Sequence, residues 1–392
     1  MAESTRTRPD DEQDKRPRRA NGDGSLTHDE ARGRWRGAVT WTDPDGTPHR
    51  RAFAGRTREA VRVRMADLRR ELDAGHQPAS TRTVSDYLTG WLDRERARVR
   101  RSTWLYRQGH IKLYIGPVLG TVKLAALAPR DVERMTSGMV DRGLAPRTAA
   151  GCRTTLRKAL ADAQRDGLVG RNVAALARPP RVPGREVEYL DRAELRQLLD
   201  HAKDDPMGPL VILAASTGLR QGELLGLSWP DVDLPHATLT VRHAMALDWS
   251  GGRSLAEPKT TRSRRTIHLP GLAVEALHDQ QTRQDAARDA AGTDVWSDVD
   301  GLVFTDRVGR PVAPTDVGSA FHAMLDRAGV RRVAFHALRH SWATLALASG
   351  VPLKVISDNL GHASIVVTAA FYSGIVPELN RDAADAIGRA LG

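Results

Sequence analysis

Residues suited to phosphodiester chemistry lie near the end of this 392-residue chain. The segment HALRH begins at His336 and contains Arg339, the triplet LGH ends at His362, and Tyr372 stands ten positions further on. Far upstream, the segment TGLRQGE contains Arg220. Guanidinium groups, imidazoles and one phenol in this order are the groups that could grip a phosphodiester and attack it.

The two arginines are the predicted phosphate clamps. A phosphodiester repels nucleophiles by its own charge, so cationic donors must fit its oxygens and the charge that develops in the transition state. Arginine suits this role because its planar fork donates two parallel hydrogen bonds and stays charged at any working pH. Arg220 follows Gly218 at a predicted helix start, which also favours an anion. Arg339 supplies the second clamp.

A nucleophile and proton-transfer groups complete the predicted site. A phenol, with an ordinary pKa of about 10, is a weak nucleophile until cations and a base assist its deprotonation. Tyr372 is the candidate nucleophile, His336 the candidate base, and His362 a donor to a non-bridging oxygen. Lys259, in a predicted hairpin turn, is the candidate acid that protonates the departing sugar oxygen.

Composition points to an anionic partner, most simply nucleic acid. Lys and Arg number 59 against 48 Asp and Glu, a formal net charge of +11. The length predicts two or three domains. Cys152 is the only cysteine, which excludes an intramolecular disulfide and a thiolate zinc cluster and fits a reducing cytoplasm. No apolar run is long enough for a membrane span.

The sequence predicts a multidomain, mainly α protein. We expect a disordered leader over 1–21, a small β-sheet plus helix over 22–75, a helical bundle over 81–177 and a proline-rich linker over 178–187. The remainder, 188–392, is predicted to be mostly helical with a small antiparallel sheet.

The block 22–75 is predicted to hold a hairpin and a helix. Residues 35–41 and 49–53 alternate as strands around a DPDG turn, and Thr57 can cap the helix that follows. Val61, Met65 and Leu68 form its apolar face. The block is either a structural sheet with surface arginines or a DNA-binding sheet, whose contacts would then be Arg36, Arg50 and Arg51.

The block 81–177 carries an apolar helix stripe followed by a run of arginines. The stripe consists of Val84, Tyr87, Leu88, Trp91 and Leu92. The run, interrupted by the acid Glu95, consists of Arg94, Arg96, Arg98, Arg100 and Arg101. It is either a solvated face or a clamp on the duplex, in which each neutralised phosphate steepens the salt dependence by roughly 0.9 log units per log of salt.

In the last block, a capping box from Asp191 to Glu194 predicts a helix start. Residues 236–245 are predicted to form one strand and 265–269 its return strand. Glu223 either orients a catalytic group or forms a helix-stabilising ion pair. His336 and His340 share a helix face as in zinc proteases, but Ala337 stands where such enzymes need Glu, so His340 is taken as structural.

These motifs resemble the tyrosine recombinases of the phage-integrase family. The resemblance rests on TGLRQGELLGLSWPDVDL from Thr217, HALRHSWATL from His336, and LGH followed by Tyr372. The block 81–177 looks like their core-binding domain, and RWRGAVTW resembles the amino-terminal arm-binding domain of integrases from phages and integrative plasmids. Phe371 and Gly374 depart from the pattern, which has Thr and His there.

The resemblance implies a site-specific recombinase that integrates or excises a mobile element at attachment sites. Tyr372 would form a transient 3′-phosphotyrosine link, and the other active-site residues would be Arg220, Lys259, His336, Arg339 and His362. It also implies a homotetramer on two duplexes, no metal or nucleotide cofactor, and a place for an accessory DNA-bending or directionality protein. The alternatives are a type IB topoisomerase-like enzyme and a catalytically silent DNA-binding relative.

Overall fold

The computed structural model describes residues 25–42, 48–73, 82–184, 187–257 and 264–361, together with 388, 389 and 391. The chain forms two compact units, which divide between Pro183 and Gly184. The division lies inside the predicted linker, where residues 178–184 are neither helix nor strand. None of the described helices is long and apolar enough to cross a membrane.

The first unit begins with a three-stranded antiparallel sheet in the order β1-β2-β3. Its strands are β1 Ser25–Asp29, β2 Arg34–Thr42 and β3 Pro48–Gly55, and α1 Arg58–Asp73 follows. The predicted hairpin is therefore confirmed as β2 and β3. The sequence prediction missed β1.

Helix α1 packs on one face of this sheet, as its apolar stripe predicts. The backbone N–H of Ala60 donates to Thr57 Oγ1 over 3.2 Å, which confirms the cap. Val61, Met65 and Leu68 are buried against Val39 of β2. Each of these three residues lies about one helical turn from the next, so all three lie on the face of α1 that packs on the sheet.

The rest of the first unit is a helical bundle, as predicted. Its helices are α2 Val84–Glu95, α3 Arg101–His110, α4 Gly116–Leu119, α5 Pro129–Asp141, α6 Pro146–Arg165 and α7 Val173–Leu176, with a π-helical segment Ile111–Ile115 between α3 and α4. All five predicted stripe residues of α2 are buried. Their two polar atoms are satisfied, because the Tyr87 hydroxyl donates to the Ala159 carbonyl over 2.7 Å and Trp91 Nε1 donates to Asp162 over 2.8 Å.

The second unit is mostly helical around one apolar core. Its helices are α8 Arg192–Ala202, α9 Gly208–Thr217, α10 Gln221–Leu225, α11 Gly271–Ala291, α12 Pro314–Arg327, α13 Ala337–Ala348 and α14 Leu353–Leu360. The predicted capping box at Asp191 and Glu194 is present. Helix α9 is apolar all round and buried, so it forms the centre on which α8, α11 and α13 pack.

Within the described part of the second unit, five short strands form two small sheets. They are β4 Val232–Asp233, β5 Thr238–Val241, β6 Ala244–Leu247, β7 Arg253–Ala256 and β8 Arg265–His268. The sheets have the orders β4-β5-β8 and β6-β7, so the predicted return strand is confirmed as the partner of β5.

The prediction of a single strand over 236–245 is wrong. The chain leaves the first sheet after β5 and enters the second as β6, which packs on α10. A Cβ at Gly226 would lie 2.7 Å from the Met245 nitrogen, so glycine permits this approach of backbone to backbone. The predicted strand is divided because its second half, β6, packs on helix α10 and pairs with β7, and is not part of the first sheet.

Candidate active site

The turn after α9 places Arg220. Gly218 ends the helix in the left-handed conformation, with φ 66°, and a Cβ there would lie 2.9 Å from Trp342 and 3.0 Å from Leu360. Glycine is required both for the backbone angle and for the close packing. Arg220 then stands at the N-cap of α10, which confirms the predicted helix start.

Glu223 orients Arg220. Its carboxylate accepts from Arg220 Nη1 over 2.8 Å and from the Arg220 backbone N–H over 3.0 Å. Arg220 Nη2 also donates to the Gly361 carbonyl over 3.2 Å. The Arg220 side chain remains 37% exposed, whereas that of Glu223 is 5% exposed. The first alternative for Glu223, that it orients a candidate catalytic group, therefore matches its geometry.

Arg339 lies deeper than Arg220. It is 3% exposed on α13 and donates to two carbonyls, that of Gly218 over 2.8 Å and that of Leu360 over 2.6 Å. These bonds tie α13 to the end of α9 and to the end of α14. The guanidinium of Arg339 is thus oriented by backbone groups from two other elements.

His336 stands at the N-cap of α13, one helical turn before Arg339. Burial lowers the pKa of His336, and the charges of Arg339 and Arg220 lower it further, while Glu223 opposes them. This shift favours the neutral imidazole, the form that can accept a proton. The ring of His340 meets that of His336 edge-on at 4.9 Å, and burial lowers the pKa of His340 to about 4.

Arg265 is a site residue that the sequence prediction missed. Its side chain is 8% exposed and forms a two-pronged pair with Glu223, in which Nη2 lies 2.9 Å from Oε2 and Nη1 3.3 Å from Oε1. Burial raises the pKa of Glu223, but hydrogen bonds and charge from Arg265 and Arg220 outweigh it, so the pKa lies below its usual range. The only signal in the sequence is that Arg265 is the first residue of a predicted strand.

Three predicted site residues, Lys259, His362 and Tyr372, lie outside the described residues. In the sequence, Lys259 falls between β7 and β8, and His362 directly follows Gly361. Among the site residues that are described, the fold brings Arg220, His336 and Arg339 together. Within the same ranges, no three His, Cys, Asp or Glu side chains form a group that could hold a metal ion.

Known proteins are similar to this one over most of the chain. The model of the phage integrase family matches residues 188–375, and that of the phage integrase N-terminal SAM-like domain matches residues 83–140. An integrase of Streptomyces ambofaciens is 32% identical over 374 residues, which cover 91% of this chain and 93% of the relative. The chain belongs to the phage integrase family. It is a tyrosine recombinase, an enzyme of site-specific recombination that cleaves and rejoins DNA strands.

A further relative and two solved structures agree with this family. A tyrosine recombinase XerC-like protein of Caldanaerobacter subterraneus subsp. tengcongensis is 28% identical over 367 residues, 88% of this chain and 93% of the relative. The Tn1549 transposon integrase in complex with a circular intermediate DNA has the same fold, with a TM-score of 0.66, 21% identity and coverage of 76% of this chain and 99% of that one. A lambda integrase tetramer bound to a Holliday junction matches with a TM-score of 0.55, 20% identity and coverage of 86% and 95%.

The recombinase presents its predicted sheet arginines on two different faces. Strand pairing places Arg36 opposite Ala54 and Arg50 opposite Thr40, all on the face away from α1. Arg51 pairs with Val39 on the face that carries α1, and its guanidinium lies 5.6 Å from the Phe53 ring centroid. The alternation of side chains along a strand therefore separates Arg51 from the other two.

The arginine run of the recombinase lies at the junction of α2 and α3. Arg94 is in the last turn of α2, and Arg100 is the N-cap of α3. All members of the run are exposed except Arg101, which is half-buried. The interrupting acid Glu95 is 4% exposed and pairs with Arg107, so its charge is directed into the unit and away from the run.

Proposed function

We propose that this recombinase cleaves duplex DNA by attack of the Tyr372 phenol on a phosphorus atom. The phenolic oxygen forms a bond to phosphorus as the bond from phosphorus to the 5′ oxygen breaks, which leaves a 3′-phosphotyrosine link. His336 takes the phenolic proton and Lys259 protonates the departing 5′ oxygen. Because one phosphodiester is exchanged for another, the reverse attack by a 5′ hydroxyl rejoins a strand at little net free energy.

The convergence of Arg220, His336 and Arg339 carries this proposal. Two guanidinium groups that bond to the same turn beside a neutral imidazole form a site for a phosphate and a proton acceptor. His362, which follows this turn in the sequence, is proposed to donate to a non-bridging oxygen. The hydrogen bonds that Arg220 and Arg339 form with Glu223 and with backbone carbonyls orient both guanidinium groups before DNA binds.

The remaining blocks are proposed to hold the DNA. Residues 22–75 bind arm sites through Arg36 and Arg50, with Arg51 as a flanking contact, and residues 81–177 clamp the core site through the arginine run. Residues 188–392 form the catalytic domain. The DNA complexes of the two solved integrases support DNA as the partner, and the lambda integrase tetramer supports a homotetramer. We further propose that the tetramer integrates or excises a mobile element at attachment sites on duplex DNA, with an accessory bending or directionality protein.

The nucleophile assignment is tested by trapping the covalent intermediate. The probe is a nicked duplex carrying the site that the protein selects from a random-sequence duplex library. The wild type is expected to form a covalent adduct with chelator present, and Tyr372→Phe none, because phenylalanine has no oxygen to attack phosphorus. Tyr189→Phe, in the same unit, is the matched control and should form the adduct.

The outcomes separate the alternatives. An adduct formed by Tyr372→Phe would show that another residue is the nucleophile. A wild type that binds the probe without any adduct would favour the catalytically silent relative. An adduct with relaxation of supercoils and no exchange between two sites would favour the topoisomerase-like enzyme.

A further inference from the structure

Three arginines bind the last carbonyls of α14 in sequence order. The carbonyls of residues 359–361 accept, in turn, from Arg265 Nε, Arg339 Nη2 and Arg220 Nη2. Carbonyls at a helix end lack partners within the helix and carry partial negative charge, so guanidinium groups suit them. Three arginine side chains therefore hydrogen-bond to the end of α14, directly before His362 in the sequence.

Arg265 shares its second partner, Glu223, with Arg220. It forms the two-pronged buried pair with Glu223, and the same carboxylate holds Arg220. Gly361 lies against it, since a Cβ on Gly361 would be 3.0 Å from Arg265 Nη1. With an 8% exposed side chain, Arg265 is enclosed by protein. The contacts of Arg265 therefore suit it to orient Glu223 and the end of α14.

We propose that Arg265 is a positioning residue for strand transfer. Through Glu223 it sets Arg220, and through the Asn359 carbonyl it holds the end of α14, to which Arg220 and Arg339 also bond. Both supports reach the phosphate site without Arg265 touching the reacting atoms. The inference rests on the proposed function, because its effect is on the rate of covalent attack.

The first test compares Arg265→Gln with the wild type on the same nicked probe. We expect the maximal rate of adduct formation in a single turnover to fall about 100-fold, the effect of a misplacement of about 1 Å in an active site. The DNA concentration that gives half the maximal rate should stay near the wild-type value, because DNA is held by many other phosphate contacts. Arg327→Gln, which removes an ion pair with Asp205 in the same unit, is the matched control and should keep the wild-type rate.

A double-mutant cycle with Glu223→Gln separates positioning from general damage. Since the two residues share the pair of Arg265 and Glu223, the loss of rate in the double variant should be clearly smaller than the product of the two single losses. Losses that multiply in the double variant, or a wild-type maximal rate in Arg265→Gln, would overturn the proposal. So would a loss of DNA affinity as large as the loss of rate.

Arg265→Lys covers the case in which the glutamine variant does not fold. Lysine keeps a positive charge beside Glu223 but lacks the fork that serves a carboxylate and a carbonyl together. The proposal predicts a folded variant by calorimetry with a reduced maximal rate, and an unchanged rate overturns it. A wild type without adduct would instead overturn the proposed function, so the two failures are distinguishable.

Discussion

The two arginines predicted to grip the phosphate, Arg220 and Arg339, differ in how far they are exposed. Arg339 is 3% exposed and fixed by two carbonyls, whereas the Arg220 side chain is 37% exposed and held by Glu223 and the Gly361 carbonyl. A guanidinium has five N–H donors in a fixed plane, so Arg220 can keep these partners and offer a further edge to a phosphate. Preorganised donors of this kind act on the transition state without reorganisation when the charge develops.

At the residue scale, Arg220→Lys is expected to slow adduct formation by about 10²–10³-fold, the usual loss for one donor to a developing negative charge. A lysine ammonium cannot serve Glu223, the Gly361 carbonyl and a phosphate in one plane. Gel-shift affinity for the intact site should change little. The control Arg288→Lys, which alters an exposed pair with Asp285 on α11, should be active. A parallel collapse of affinity in Arg220→Lys would contradict the assignment.

The elements meet at the turn that follows α9. The Gly218 carbonyl accepts from Arg339, and its Cα lies against Trp342 of α13 and Leu360 of α14. The central apolar helix α9 therefore ends at a turn that leads to Arg220 and accepts a hydrogen bond from Arg339. The stability of α9 and the geometry of the site are coupled through this one residue.

At the element scale, Gly218→Ala is expected to lower stability by two effects. The left-handed backbone costs about 1–2 kcal/mol for a residue with a Cβ, and the forced contacts with Trp342 and Leu360 add about 1–3 kcal/mol of overpacking. Gly350→Ala is the matched control, because Gly350 also has a positive φ, 80°, but open space around it. Scanning calorimetry should show a larger loss for Gly218→Ala, and equal losses would show that packing at the turn is unimportant.

At the scale of the whole molecule, the two units each bury their own apolar core. Candidate DNA contacts are spread over the sheet, the junction of α2 and α3, and the second unit. An excess of positive charge, +11, accompanies this distribution. Binding is therefore expected to depend on many phosphates, while chemistry depends on a few groups of the second unit.

The sequence beyond Val376 predicts a helix with an apolar stripe of Leu379, Ala383, Ile387 and Leu391. Of these, Leu391 is described and is 84% exposed. The stripe could pack on its own domain or dock on a neighbouring subunit. Under the second interpretation, we predict that deletion from Asn380 onward weakens assembly of the complex that pairs two duplexes and spares binding to one site.

Native gels and sedimentation measure binding on DNA with one site and pairing of duplexes on DNA with two sites. Serine at Leu379 and Ile387 should reproduce the deletion, whereas serine at Asp382 and Asp385, off the stripe, should not. Unchanged pairing after deletion would exclude a role for the tail in assembly.

Local interactions explain which parts of the fold were predictable. The stripe of α2, the Asp191 capping box and the hairpin of β2 and β3 depend on residues a few positions apart, so the sequence alone predicted them. The order of arginine, histidine and tyrosine motifs likewise indicated the phosphodiester chemistry and the family.

Only the tertiary structure decided which distant groups support the site. The pair of Arg265 and Glu223, the carbonyls that hold Arg339, and the division of residues 236–245 between two sheets join elements far apart in the chain. A hydrogen bond between such elements depends on how their faces pack, and no local pattern records that. The sequence by itself predicted the candidate reacting groups and most helices, and packing decided which carboxylate, carbonyls and third arginine hold Arg220 and Arg339.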